Sequence, residues 1–166
     1  MNIAIMGFRG TGKTTVCRLL ARKLGKQLIL TEEEILKKTG SMQKYVKKYG
    51  WDKFREIESD IMEKLSNLDD CIFDISGDIV MRNENMISLK RDSVVILLTA
   101  DLRTIENRLK SKNLTDSYDY ADEVKEFFQE RETKYKKSAD YTIDTSSLSP
   151  GEVCELVMHY MQLELQ

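Results

Sequence analysis

The run Gly7-Phe8-Arg9-Gly10-Thr11-Gly12-Lys13-Thr14 fills every position of the pattern G-x-x-x-x-G-K-[ST]. Residues of these types at this spacing capture a phosphate chain. The glycines let the backbone turn tightly and approach an anion, so that successive N–H groups and a helix N-terminus form a cradle. Lys13 is then placed to reach the β- and γ-phosphates of a nucleotide, and the Thr14 hydroxyl to hold a Mg²⁺ ion that bridges them. Gly10, Thr11, Gly12, Lys13, Thr14 and Thr15 are therefore the candidate ATP-binding residues.

Such a loop works only between a strand and a helix. Ile3-Ala4-Ile5-Met6 supplies the strand, and Val16, Cys17, Leu19, Leu20, Ala21 and Leu24 recur at the three-and-four spacing of a buried helical stripe. Strand-length apolar runs at 2–6, 27–30, 70–75, 93–98 and 140–144 alternate with helical patterns, which predicts an α/β domain with a parallel sheet. After the second strand, Thr31 followed by three glutamates reads as a helix start, and Gly40 as its stop. Two further stripes, Met42-Tyr45-Val46-Tyr49 and Phe54-Ile57-Ile61-Leu65, extend a helical insert over about 31–68. That is longer than a crossover requires, and it stands where an acceptor substrate would be covered.

The third strand ends in Asp74, with Ser76-Gly77-Asp78 beyond it. Ligands of open parallel sheets sit off the carboxyl ends of the strands, so these residues should face the phosphate loop. Asp74 has two readings: a strand-end carboxylate that holds Mg²⁺ opposite Thr14, or a turn former bonded to its own backbone. Helix 101–111 turns Leu102, Ile105 and Leu109 inward and leaves Arg108 to one side. The polar stretch of about 111–121 reads as a lid, which a kinase needs to keep water from its γ-phosphoryl. Helix 121–137 follows, with Val124, Phe127, Phe128 and Tyr135 inward and Arg131 close to that face. An arginine there needs a substrate anion or a structural carboxylate. Pro150 opens the last helix, which turns Val153, Leu156, Val157 and Tyr160 inward. His159, the sole histidine, lies on that helix away from every motif.

At 166 residues the chain is expected to be one domain, 1–166. With 26 basic and 28 acidic residues spread along it, no nucleic-acid groove is expected. Three cysteines, odd in number and far apart, suggest neither a disulfide framework nor a zinc site. The chain opens directly on a strand, and no apolar run nears membrane-spanning length. We expect a soluble cytoplasmic protein without a membrane partner, a monomer or weak dimer.

On these residues the chain resembles the shikimate kinases over nearly its full length. The matching segments are Gly7 to Thr15, Glu32-Glu33-Glu34-Ile35 with Lys38-Thr39-Gly40-Ser41, Phe54-Arg55-Glu56-Ile57-Glu58 after Gly50, and Ile143-Asp144-Thr145 with Leu148-Ser149-Pro150. The resemblance implies a three-layer P-loop kinase fold with a five-stranded parallel sheet in the order 2-3-1-4-5, a substrate-binding insert and a lid. It further implies that Arg108 lies against adenine, that Asp144 to Pro150, including Ser149, forms the adenine loop, and that Arg55 and Arg131 hold a substrate carboxylate. Glu32 or Asp78 would orient or deprotonate the acceptor hydroxyl, with Gly77 beside it.

Departures from the family surround the acceptor. Leu30-Thr31-Glu32 replaces a strand-two Asp-x-Asp, and Ser76-Gly77-Asp78 replaces three glycines. No arginine lies between Arg108 and Arg131, where the family's lid has one, and Arg131-Glu132-Thr133 lacks a proline that the family places two residues after the arginine. Asp74 replaces a small residue and is expected to take the Mg²⁺ role that Leu30 cannot fill. The expected activity is an ATP- and Mg-dependent kinase acting on a hydroxyl of a small anionic molecule, shikimate first. Its rivals are a kinase of another small alcohol or nucleotide, and a non-catalytic ATP-binding switch.

Overall fold

The apolar runs become strands because each is bracketed by turn residues and covered on both faces, as parallel strands must be. The computed structural model describes residues 1–111, 124–125 and 130–166, with Asp78 described in its backbone only. The strands are β1 (Asn2–Gly7), β2 (Gln27–Leu30), β3 (Cys71–Asp74), β4 (Ser93–Thr99) and β5 (Tyr141–Asp144). They pair in parallel in the order β2-β3-β1-β4-β5, as expected from the resemblance. In register, Ile5 and Leu30 both stand opposite Asp74, and Gly7 stands opposite Leu98. The carboxyl ends of the strands thus form one rim.

Alternate strand residues feed two cores. Ile3, Ile5, Ile72, Ile96 and Leu98 pack beneath α1 (Lys13–Leu24) and α8 (Pro150–Glu164). Ala4, Met6, Phe73, Val95 and Leu97 pack on the other face against α4 (Trp51–Leu65), α5 (Asn83–Lys90), α6 (Leu102–Ser111) and α7 (Glu132–Ser138). Helix α2 (Thr31–Thr39) adds Ile35 to that second core, whereas α3 (Met42–Tyr49) buries no residue fully. No described helix is long and apolar enough to cross a membrane.

Some sequence expectations need correction. Leu102 and Leu24 are exposed rather than inward, standing at the first position of α6 and the last of α1. Cys154 is fully buried on α8, while Leu156 and Tyr160 are only half-buried. Ser111 is the last residue of α6 rather than the start of a lid, and the remainder of the expected lid, 112–121, lies outside the described residues. The same holds for Phe127 and Phe128. Helix α5 follows a 3₁₀ turn at Gly77–Met81, and both fall where the sequence offered no stripe.

Candidate active site

The P-loop closes on itself before it reaches any ligand. Thr11 donates its N–H at 3.3 Å and its hydroxyl at 2.7 Å to the Phe8 carbonyl. Gly12 then caps α1 in the left-handed region, φ 92°, and offers no side-chain acceptor. The first-turn amides of α1 are therefore left for an anion, which the helix dipole also favours. Around this point lies a cavity of about 660 Å³. Gly10, Thr11, Gly12, Lys13, Thr14 and Thr15 line it, together with Glu32, Asp74, Arg108 and Pro150.

Lys13 and Thr14 meet the end of β3. The Lys13 ammonium donates to the Ile75 carbonyl at 3.0 Å and stands 3.9 Å from the Asp74 carboxylate. The Thr14 hydroxyl donates to the other Asp74 oxygen at 2.5 Å. Asp74 therefore faces the phosphate loop and is not the local turn former of the rival reading. Cys17 lies just behind, fully buried, with its thiol pushed well above the ordinary value, first by burial and then by the Asp74 carboxylate. A hydroxyl and a carboxylate are hard oxygen donors of the kind that, with phosphates and water, suit Mg²⁺. Among the described residues no cluster of three His, Cys, Asp or Glu side chains offers a self-sufficient metal cage.

Thr31 is a contributor that the sequence reading missed. Its hydroxyl donates to the Asp74 carbonyl at 2.9 Å and accepts the Ser76 N–H at 2.9 Å, so it buttons the end of β2 to the end of β3. Thr145 was expected only as part of the adenine loop, and its bond to Arg108 at 3.0 Å was not foreseen. Neither carries a local signal, because the partners are 37 to 45 residues away in sequence.

Other expected residues stand off the cavity wall. Asp144 accepts from the Ser146 N–H and hydroxyl at 2.9 and 2.6 Å, which shapes the turn after β5. Ser149 caps α8 in a capping box with Glu152, which orients Leu148 and Pro150 toward the cavity. Arg55 pairs with the buried Glu58 at 2.5 Å, its guanidinium 5.1 Å from the Trp51 ring centroid. Gly77 accepts from the Tyr135 hydroxyl at 2.6 Å, which fastens α7 to the 3₁₀ turn. Arg131 leads into α7, half-buried. The Asp78 side chain lies outside the described residues, and His159 is exposed on α8. Apart from Asp144 and Ser149, the nucleotide half of the expected site is thus gathered in one cavity, and Arg55, Gly77 and Arg131 do not line it.

Residues 9–162 match the family model for shikimate kinase. A shikimate kinase from Thermodesulfovibrio yellowstonii is 37% identical over 161 residues, covering 95% of this chain and 92% of that protein. One from Dehalococcoides mccartyi is 34% identical over 157 residues, covering 93% and 89%. The structure of shikimate kinase from Acinetobacter baumannii in complex with shikimate superposes with a TM-score of 0.81 at 26% identity, covering 99% of this chain and 92% of that one. A deoxyadenosine kinase from M. mycoides, at 21% identity and a TM-score of 0.65, shares the fold. With a phosphate loop opening on a strand-end carboxylate, and sequence likeness running from one end to the other, the chain belongs to the shikimate kinase family of phosphotransferases that act on a hydroxyl group.

Proposed function

We propose that this enzyme transfers the γ-phosphoryl of ATP to a hydroxyl of shikimate, with Mg²⁺ held at Thr14 and Asp74. What supports the reading is that Lys13, Thr14 and Asp74 line one cavity together with Glu32, the carboxylate we assign to the acceptor. Phosphoryl transfer asks little covalent chemistry of a protein, so the work is positioning and charge stabilisation. The amides of Gly12, Lys13 and Thr14 hold the phosphate oxygens, and the Lys13 ammonium swings from the Ile75 carbonyl to the β- and γ-phosphates on its flexible stem. When bound, Mg²⁺ would supply positive charge against the charge that develops in transfer. Glu32, in the first turn of α2, orients the acceptor hydroxyl and takes its proton. Gly77 and Asp78 border the acceptor, and Arg55 and Arg131 bind its carboxylate. Arg108 and the turn from Asp144 through Ser149 to Pro150 accommodate the base.

ADP release from ATP and Mg²⁺ tests this directly, with shikimate compared against other hydroxy acids, sugars and nucleosides. Shikimate should stimulate turnover most, and Lys13→Ala should reduce it by on the order of a hundredfold or more. Stimulation by a different acceptor overturns the substrate assignment. ATP binding with no stimulation by any of them favours a nucleotide-driven switch.

A further inference from the structure

Two consecutive P-loop carbonyls are held from behind. The Arg108 guanidinium donates through Nη1 to the Gly10 carbonyl at 3.1 Å and to the Thr145 hydroxyl at 3.0 Å, and through Nη2 to the Thr145 carbonyl at 2.8 Å. The Thr145 oxygen, only 2% exposed as a residue, lies 3.0 Å from the Thr11 carbonyl and 3.0 Å from that of Thr99. One hydroxyl proton serves these two acceptors, while the lone pairs receive Arg108. Arg108 is further fixed in place because Ile105 and Leu109 of the same helix press on Gly10, where an added Cβ would meet them at 3.1 and 3.3 Å.

The consequence follows from peptide geometry. No peptide bond here is cis, and in a planar trans peptide the C=O and the N–H point to opposite sides. The Thr11 carbonyl shares its peptide with the Gly12 N–H. A carbonyl drawn back to Thr145 therefore turns the Gly12 N–H forward, toward the cavity that Gly12 lines. An anion site needs donors facing in and carbonyl oxygens facing out, set before the ligand arrives.

We propose that the Arg108–Thr145 pair is a positioning device that sets the peptide planes of the P-loop for phosphate, and so makes the loop after β5 part of phosphate recognition as well as of base recognition. This rests on the reading that the loop binds the phosphates of ATP. An arginine that only touched the base would have no influence on a ligand without a base.

Inorganic tripolyphosphate is such a ligand. Calorimetric titration of ATP and of tripolyphosphate, each with Mg²⁺, should be run on the wild type, Thr145→Val, Thr145→Ser, Arg108→Met and the double variant Arg108→Met/Thr145→Val. Valine keeps the shape of threonine and loses the hydroxyl, whereas serine keeps the hydroxyl. Thr145→Val and Arg108→Met should each weaken tripolyphosphate about tenfold, as loss of a buried hydrogen-bonded contact does, and the double variant should be little worse than either. Thr145→Ser should restore affinity to within about twofold. In steady state the ATP KM should rise by the same factor, with kcat moving less. If Arg108→Met weakens ATP while tripolyphosphate binds as in the wild type, the device is refuted and Arg108 serves the base alone. Should Thr145→Val not fold, Arg108→Met decides by the same comparison. A wild type that binds neither ligand overturns the nucleotide reading, and the device with it.

Discussion

Leu30 and Asp74 are cross-strand partners at the carboxyl ends of β2 and β3. The family resemblance places a carboxylate at the β2 position, and here an aliphatic side chain stands there. The carboxylate occurs one strand nearer β1, within 2.5 Å of the Thr14 hydroxyl. Set against that resemblance, the carboxylate of this chain stands one strand over and faces the phosphate loop.

From this exchange we expect Asp74→Asn to raise the Mg²⁺ concentration needed for half-maximal turnover by about tenfold or more, since one oxygen ligand loses its charge. The reciprocal change Leu30→Asp/Asp74→Ala should recover part of the loss. Magnesium titrations of ADP release check both. An Asp74→Asn enzyme with an unaltered Mg²⁺ profile would remove Asp74 from the metal.

Glu58 is 4% exposed and pairs with Arg55 one turn earlier on α4. A buried carboxylate fixes the guanidinium and limits its freedom before an acceptor arrives. Glu58→Ala should lower stability by ~1–3 kcal/mol, read by thermal denaturation. Its KM for the acceptor should also rise while that for ATP stays close to the wild-type value. Equal effects on both substrates would make the pair purely a scaffold element.

Gly7 ends β1 with φ 153°, and a Cβ built there would stand 2.4 Å from the Leu98 carbonyl oxygen. That oxygen belongs to the neighbouring central strand and has nowhere to retreat. Gly7→Ala should destabilise the fold by on the order of 3 kcal/mol. Denaturant unfolding monitored by circular dichroism measures it. A midpoint within error of the wild type would show that β1 and β4 separate easily.

What the sequence disclosed, and what it did not, has a common physical basis. Strands buried on both faces appear as uninterrupted apolar runs, and a loop that must bend around phosphate declares its glycines. Helix α5 gave no such sign because its inward face carries Asn85 and Ser88, made tolerable by bonds to the Ile79 carbonyl at 2.8 Å and to the Glu63 carboxylate at 2.7 Å. Such partners exist only after folding. The same reason hid the hydroxyls of Thr31 and Thr145, each of which acts through groups distant along the chain. Asp144 was legible as part of a segment, yet its oxygen proved to serve the turn at Ser146.

The strand that carries the P-loop comes first of the five in chain order and lies in the middle of the sheet. Its two neighbours begin only at Cys71 and Ser93. Asn2–Gly7 therefore has both of its sheet partners only when the chain extends through Cys71–Asp74 and Ser93–Thr99, and both pairings close long loops. A chain that stops short of Ser93 already bears the whole glycine-rich motif, on a strand that lacks one of its two neighbours. The motif is thus written early in the chain, while the strands that frame it on both sides are written late.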